Sequence, residues 1–207
     1  MDIQYYGANC VTVTYKGARI VIDDNLAELG GKSIVKADDI VLYTGPHAAD
    51  APKGRLMFDG PGEFEVADVS IVGIPERAHM DEKGLRATMF KIVVTDFSLL
   101  FVGHVYPSIN EDQLERIGLV DVMVVPVGGS GYTLDPLGAL KLIKEIEPKM
   151  IIPTHYAMSG INYPVPQIDL AVALTELGME SREQAGKLKL KAADLTDVAQ
   201  LIVLEKS

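Results

Sequence analysis

The stretch LERIGLVDVMVVPVGGSGYTLDPLGALKLIKEIEPKMIIPTHY, residues 114 to 156, decides the fold. VDVMVVPVG is a short apolar run ending in glycine, the mark of a buried strand. LDPLGALKLIKEIEP follows, with Leu137, Leu140, Ile143 and Ile146 recurring every three residues as on one face of a helix. KMIIPTHY is a second buried strand that ends on a histidine. Strands alternating with helices in this way predict sheet with helices packed outside it.

Outward from this unit the pattern changes. The first hundred residues hold CVTVTYK, ARIVID, DIVLYT, RLMFDG, FEVADVSIVGI, TMFKIVVTD and LLFVG, short β-rich runs bounded by Gly, Pro, Asp or Asn. YKGAR and VTDFS read as hairpin connections. NEDQLERIG carries an Asn N-cap and a Gly stop, and PQIDLAVALTELGM reads as a helix from Pro166 to near Gly178. The tail KLKLKAADLTDVAQLIVLEK reads as a final hairpin. These elements predict one domain over residues 1–207, in halves of about 1–105 and 106–207, of class α/β (α+β), with two packed sheets and helices outside.

Composition bounds the function. The 207 residues are 48% hydrophobic, ample for a globular core, and 19 basic against 29 acidic residues leave a net charge of −10. No Lys/Arg cluster longer than a pair occurs, so neither nucleic acid nor an anionic membrane is expected as a partner. Apolar runs such as SLLFV are too short to span a bilayer. The single cysteine, Cys10, reads as a small buried residue in a reducing cytoplasm, and MDIQYYG shows no signal peptide.

Only four histidines occur, His47, His79, His104 and His155, each at or just past the end of a predicted strand. Such ends gather at one sheet edge, where ligands bind. Converging imidazoles suit a transition metal, although none of these pairs has the local spacing of a zinc finger or HExxH helix.

These residues resemble the metallo-β-lactamase fold, and more closely the branch related to ascorbate-6-phosphate lactonase, zinc-dependent hydrolases. GPGEFEVADVSIVGIPERAHMDEKGLRAT is similar to that branch's GPGEYEV segment and His-Asp loop, and residues 114 to 156 to its long C-terminal signature. The resemblance implies an αββα sandwich of two mixed sheets with metals at one edge. It also implies a divalent transition metal, zinc first with manganese or iron as alternatives, a small anionic substrate, and self-association into a homo-oligomer.

The departures fall on the ligands. Where the family has HxHxDH this chain has GPHAAD: Gly45, His47, Ala49 and Asp50 stand at the four positions. His79 and His155 stand at two further ligand positions, and His104 replaces the bridging aspartate. A carboxylate bridges metals about 3.5–4 Å apart, whereas an imidazole offers one nitrogen, so a single metal is expected at most. His47, His79 and His104 could hold it with an open fourth position; His104, His155 and Asp50 form the alternative set. If the site is active, a metal-bound hydroxide attacks an ester, lactone or phosphoester, with Asp50 or His155 moving the proton. The competing expectation is a non-catalytic ligand-binding or assembly protein on the same fold.

Other residues have two readings. Gly128 and Gly129 in PVGGSGY could cradle an anion with backbone amides or form a tight turn. Tyr132 and Tyr156 could bond a substrate or fill a rim. Arg86 could pair with an anionic substrate, while Arg77, Asp81 and Lys83 belong to the same charged loop. Asp23 reads as a structural carboxylate or an acceptor behind a metal-bound histidine. Met80, Met89, Met123 and Met158 read as packing residues.

Overall fold

The structure is a computed structural model, which describes residues 1–80, 84, 86–95 and 97–207; Asp81 and Lys83 lie outside the described residues. Its strands are β1 (Asp2–Gly7), β2 (Cys10–Tyr15), β3 (Ala18–Ile22), β4 (Ile40–Leu42), β5 (Leu56–Phe58), β6 (Gly62–Val66), β7 (Val69–Glu76), β8 (Ala87–Val94), β9 (Phe97–Phe101), β10 (Val122–Pro126), β11 (Met150–Thr154), β12 (Ser181–Ala185), β13 (Leu188–Lys189) and β14 (Gln200–Leu204). The α-helices are α1 (Glu111–Ile117), α2 (Pro136–Ile146) and α3 (Leu170–Leu177).

One sheet runs β13-β1-β2-β3-β4-β5 and the other β12-β14-β11-β10-β9-β8-β7-β6. Both are mixed. β1 to β3 are antiparallel while β3, β4 and β5 are parallel, and β6 to β9 are antiparallel while β9, β10, β11 and β14 are parallel. Alternation sets which face is buried where. Ile20, Ile22, Ile40 and Leu42 join the core shared with Leu99, Phe101 and Ile152 of the second sheet, while Val21 and Val41 point the other way. The β2–β3 hairpin closes over Lys16 and Gly17, both at positive φ, as a two-residue primed turn demands.

Several expectations are corrected. The tail is not a hairpin: β13 pairs with β1 in the first sheet and β14 inserts between β11 and β12 in the second. MDIQYYG, read only for a leader, supplies β1. Helix α3 starts at Leu170 because Ile168 N donates to Gly128 O and its carbonyl accepts from Ala157 N, which holds this segment extended. On α2, Ala139, Leu142, Ile143 and Ile146 are buried while Leu137 is 63% exposed, so the buried face is rotated from the one read. The outer side of the first sheet is covered by irregular segments, with Leu26, Leu29, Ile34, Val35 and Ile161 packing there, and the described α-helices all follow Glu111. Among the described residues no helix is long and apolar enough to cross a membrane.

The parallel strands place the site. Asp23 follows β3, Thr44 follows β4, His104 follows β9, Gly128 follows β10 and His155 follows β11, so all emerge along one rim between the sheets. Three bonds lock that rim across the sandwich: Thr88 N to Thr44 O at 2.8 Å, His155 N to Ala8 O at 2.8 Å and Thr154 Oγ1 to Asn9 Oδ1 at 2.6 Å.

Candidate functional site

Asp23 and His155 turn sharply out of their strands, with φ of 52° and 57°, a left-handed backbone that non-glycine residues adopt only where their surroundings hold it. Asp23 is buried and its carboxylate accepts from Asn9 Nδ2 at 3.0 Å, Thr44 N at 2.7 Å and Thr44 Oγ1 at 2.6 Å. With Thr154 donating to Asn9 Oδ1, this is a continuous chain from one sheet to the other. Burial raises the Asp23 carboxyl to about 6, against the pull of the Thr44 and Asn9 hydrogen bonds.

His104 and His155 meet edge to face, ring centroids 4.6 Å apart and planes at 90°. His155 is 3% exposed, and its Nδ1 lies 3.0 Å from Gln167 Oε1, so Nδ1 carries the proton and donates to that amide oxygen. The His104 ring packs edge-on to Tyr132 at 5.2 Å, and its Nδ1 is buried without a partner. Burial lowers both groups, His104 to about 3, helped by its imidazole neighbours, and His155 to about 4. Both rings are therefore neutral at pH 7.

Two adjoining cavities open here. The outer one, about 300 Å³, is lined by Thr44, His79, Met80, Arg86, His104 and Tyr132, among others. An inner one of about 70 Å³ reaches Asn9, Glu28 and His155, and the two share Asp23, Asn25, Pro46, His104 and Tyr132. The outer volume lies at the small end of small-molecule sites.

The histidines separate into two groups. His79, His104 and His155 border these cavities, and His79 N donates to His104 O at 2.8 Å while its ring Nδ1 lies 3.3 Å from Val105 O. His47 is turned elsewhere: Nε2 lies 3.1 Å from Asp59 Oδ2, Nδ1 lies 3.0 Å from Ala48 O, and the ring packs on Tyr43 at 4.4 Å. Asp50 is exposed in the same loop. Neither expected ligand set is assembled, since one needs His47 and the other Asp50. The physical reason is local, in that Asp59 and the Tyr43 face give the His47 ring a charged and an apolar partner, and His47 is not among the residues lining either cavity.

The remaining candidates are also placed. Arg86 and Tyr132 line the outer cavity. Gly129 does not offer its amide to an anion, because Gly129 N donates to Leu134 O and its carbonyl accepts from Tyr132 N, a closed turn. Gly128 serves close packing instead: a Cβ there would lie 1.9 Å from His155 O and 2.1 Å from Gln167 Oε1. Tyr156 belongs to the core, against Tyr5 at 5.9 Å, and Arg77 stacks on Tyr106 at 3.8 Å. Met89 and Met123 are buried as packing residues should be, whereas Met80 is 66% exposed at the cavity mouth. Asn9, Asn25, Thr44 and Gln167 were not singled out from sequence. Thr44 lay next to the GPHAAD loop and was the nearest to a signal.

The model of the beta-lactamase superfamily domain matches residues 2–155. The chain belongs to that superfamily. Similar solved structures agree in fold: a protein from Thermotoga maritima assigned to the zinc-dependent hydrolases of the metallo-β-lactamase superfamily, at 24% identity and a TM-score of 0.74, covers 99% of this chain and 98% of its own. Igni18, a metallo hydrolase from Ignicoccus hospitalis, has 17% identity and a TM-score of 0.63 over 99% and 95%. An isothiocyanate hydrolase from Delia radicum gut bacteria has 13% identity and a TM-score of 0.65 over 93% and 100%. Among curated proteins no sequence matches the chain. The match to the beta-lactamase superfamily stands at the level of the superfamily rather than of one branch.

Zinc-dependent members of such a superfamily need at least three protein donors converging on one point. Among the described residues no group of three or more His, Cys, Asp or Glu side chains is disposed to hold a metal ion. His104 and His155 supply two imidazoles, Asp23 already accepts three hydrogen bonds from Thr44 and Asn9, and His79, whose Nδ1 faces the Val105 carbonyl and leaves Nε2 as its open nitrogen, is not grouped with them. The described residues therefore do not fit a superfamily metal centre.

Proposed function

We propose that this chain is a small-molecule-binding member of the metallo-β-lactamase fold that takes an anionic ligand in the outer cavity and has given up metal-assisted hydrolysis. The observation that carries the reading is the pairing of His47 with Asp59, which keeps it from the residues lining the two cavities. Arg86 supplies positive charge at the cavity, His79 and Tyr132 add polar edges, and Met80 an apolar wall. Titration calorimetry with short-chain carboxylates and phosphate monoesters tests it, together with elemental analysis and a panel of lactones, esters and phosphodiesters. Binding by metal-free protein without turnover is the expected result. Stoichiometric transition metal and turnover lost in His104→Ala overturn it.

A second reading, hydrolysis with one weakly held metal, is favoured by one feature: the buried, unpartnered Nδ1 of His104 beside the His155 ring. The same metal analysis separates the two.

A further inference from the structure

The polarity of the two cavities is graded. The wall they share holds two buried polar atoms that no partner meets, Asn25 Oδ1 and His104 Nδ1. Asn25 Oδ1 is an acceptor, and a neutral imidazole with its proton on Nε2 makes His104 Nδ1 a second one. Beyond that wall the inner cavity adds the carboxylates of Asp23 and Glu28. The negative charge of Glu28 reaches Tyr132, whose hydroxyl is raised partly on its account. Among the described residues no Lys or Arg lines the inner cavity, whereas Arg86 stands at the outer one.

Buried acceptors without donors are costly, about 1–3 kcal/mol each, and a ligand donor that reaches them recovers that cost. A space of about 70 Å³ admits a small group and no ring. An ammonium group has the matching chemistry, since it is compact, carries three donors and no acceptor, and bears the charge opposite to Asp23 and Glu28.

We propose that the ligand is zwitterionic: a primary amine enters the inner cavity against Asn25, Glu28, Asp23 and His104, and its anionic group stays in the outer cavity with Arg86. This rests on the anion-binding reading above and adds the second half of the ligand. A simple carboxylate or phosphate fills only the outer half and leaves the acceptors bare.

The experiment titrates full-length protein at pH 7.5 with ω-aminoalkyl carboxylates and ω-aminoalkyl phosphates of two to five carbons, each against its des-amino homologue. One chain length in at least one series is expected to bind about tenfold more tightly than its homologue, the scale of one charge-assisted hydrogen bond. Glu28→Gln, at an exposed residue whose replacement leaves the core intact, is expected to shrink that preference, and Asn25→Leu to do the same. Equal binding of amines and homologues, or a preference untouched by both variants, overturns the zwitterion and leaves the anion reading standing. Failure of every compound to bind overturns both.

Discussion

The rings of His104 and His155 stand perpendicular with centroids 4.6 Å apart, and among the described residues neither has a carboxylate partner; the Oε1 of Gln167 takes the N–H of His155, while Nδ1 of His104 is buried without a partner. In a metal centre a second carboxylate behind an imidazole raises its basicity. Here an amide orients His155 and ring packing holds His104, and burial keeps both rings neutral. The rim has thus exchanged charge for neutral hydrogen bonding at the ends of β9 and β11.

Stability should therefore fall in mild acid. His104 and His155 titrate near 3 and 4 in the folded chain and near 6.5 when unfolded, so between those values the unfolded chain binds more protons. Their contribution is complete above pH 6.5 and is lost as pH falls toward 4 and then 3. Asp23 acts in the opposite sense, its carboxyl raised to about 6, so that its contribution is present below 3.8 and lost as pH rises through 6. Two groups against one leave a net loss, on the order of 1 kcal/mol per pH unit, between pH 6 and 4. Urea unfolding at half-unit steps should show it, His155→Asn should flatten the slope and Asp23→Asn should steepen it. A slope unchanged in both variants would count against this assignment.

Asn9 is the central link of the chain from Thr154 to Thr44, donating to Asp23 and accepting from Thr154. Asn9→Ala leaves a buried hydroxyl without its acceptor and removes one donor from a buried carboxylate, at a cost of about 2–4 kcal/mol. Thermal unfolding should register the loss, and the Asp23 carboxyl, followed by carbon NMR, should titrate higher than in the parent chain.

How far the rim could be read from sequence depends on the kind of signal each residue carries. The β10–α2–β11 unit and the hairpins were legible because their periods and turn residues act locally. Placing four histidines near strand ends was sound, yet only three reach the cavities, since position along a strand fixes the edge and not the rotamer. His47 is decided by Asp59, twelve residues on, and by the face of Tyr43. Asn9 and Gln167 carry no local pattern; they matter only once β1–β2 and the segment before α3 are folded against β11. The rotated face of α2 has the same origin, in that tertiary packing chose among several apolar stripes.

Gly103 tests how closely the rim is packed. It sits at φ of 68°, and a Cβ there would lie 2.2 Å from Thr44 Oγ1 and 2.4 Å from Thr44 Cβ. Thr44 has no freedom to withdraw, because its amide and hydroxyl both bond Asp23. Gly103→Ala combines left-handed backbone cost with overpacking, together about 3 kcal/mol. A melting temperature within a degree of the parent would show that Thr44 yields more easily than its bonds imply.

His47 provides the sharpest separation between a binding protein and a metal hydrolase. Its Nε2 pairs with a half-exposed Asp59 and its ring covers Tyr43, so its work is to hold the loop over Tyr43. A partly exposed pair of this kind contributes little, about 0–1 kcal/mol. His47→Ala should accordingly shift stability by about 1 kcal/mol and leave ligand affinity within twofold of the parent, whereas Arg86→Ala should weaken anion binding about tenfold. Chelator should leave the melting temperature of the parent and of His47→Ala unchanged. A melting temperature that drops with chelator in the parent but not in His47→Ala would mean that the loop turns inward to coordinate, and the binding-only reading would fail at its premise.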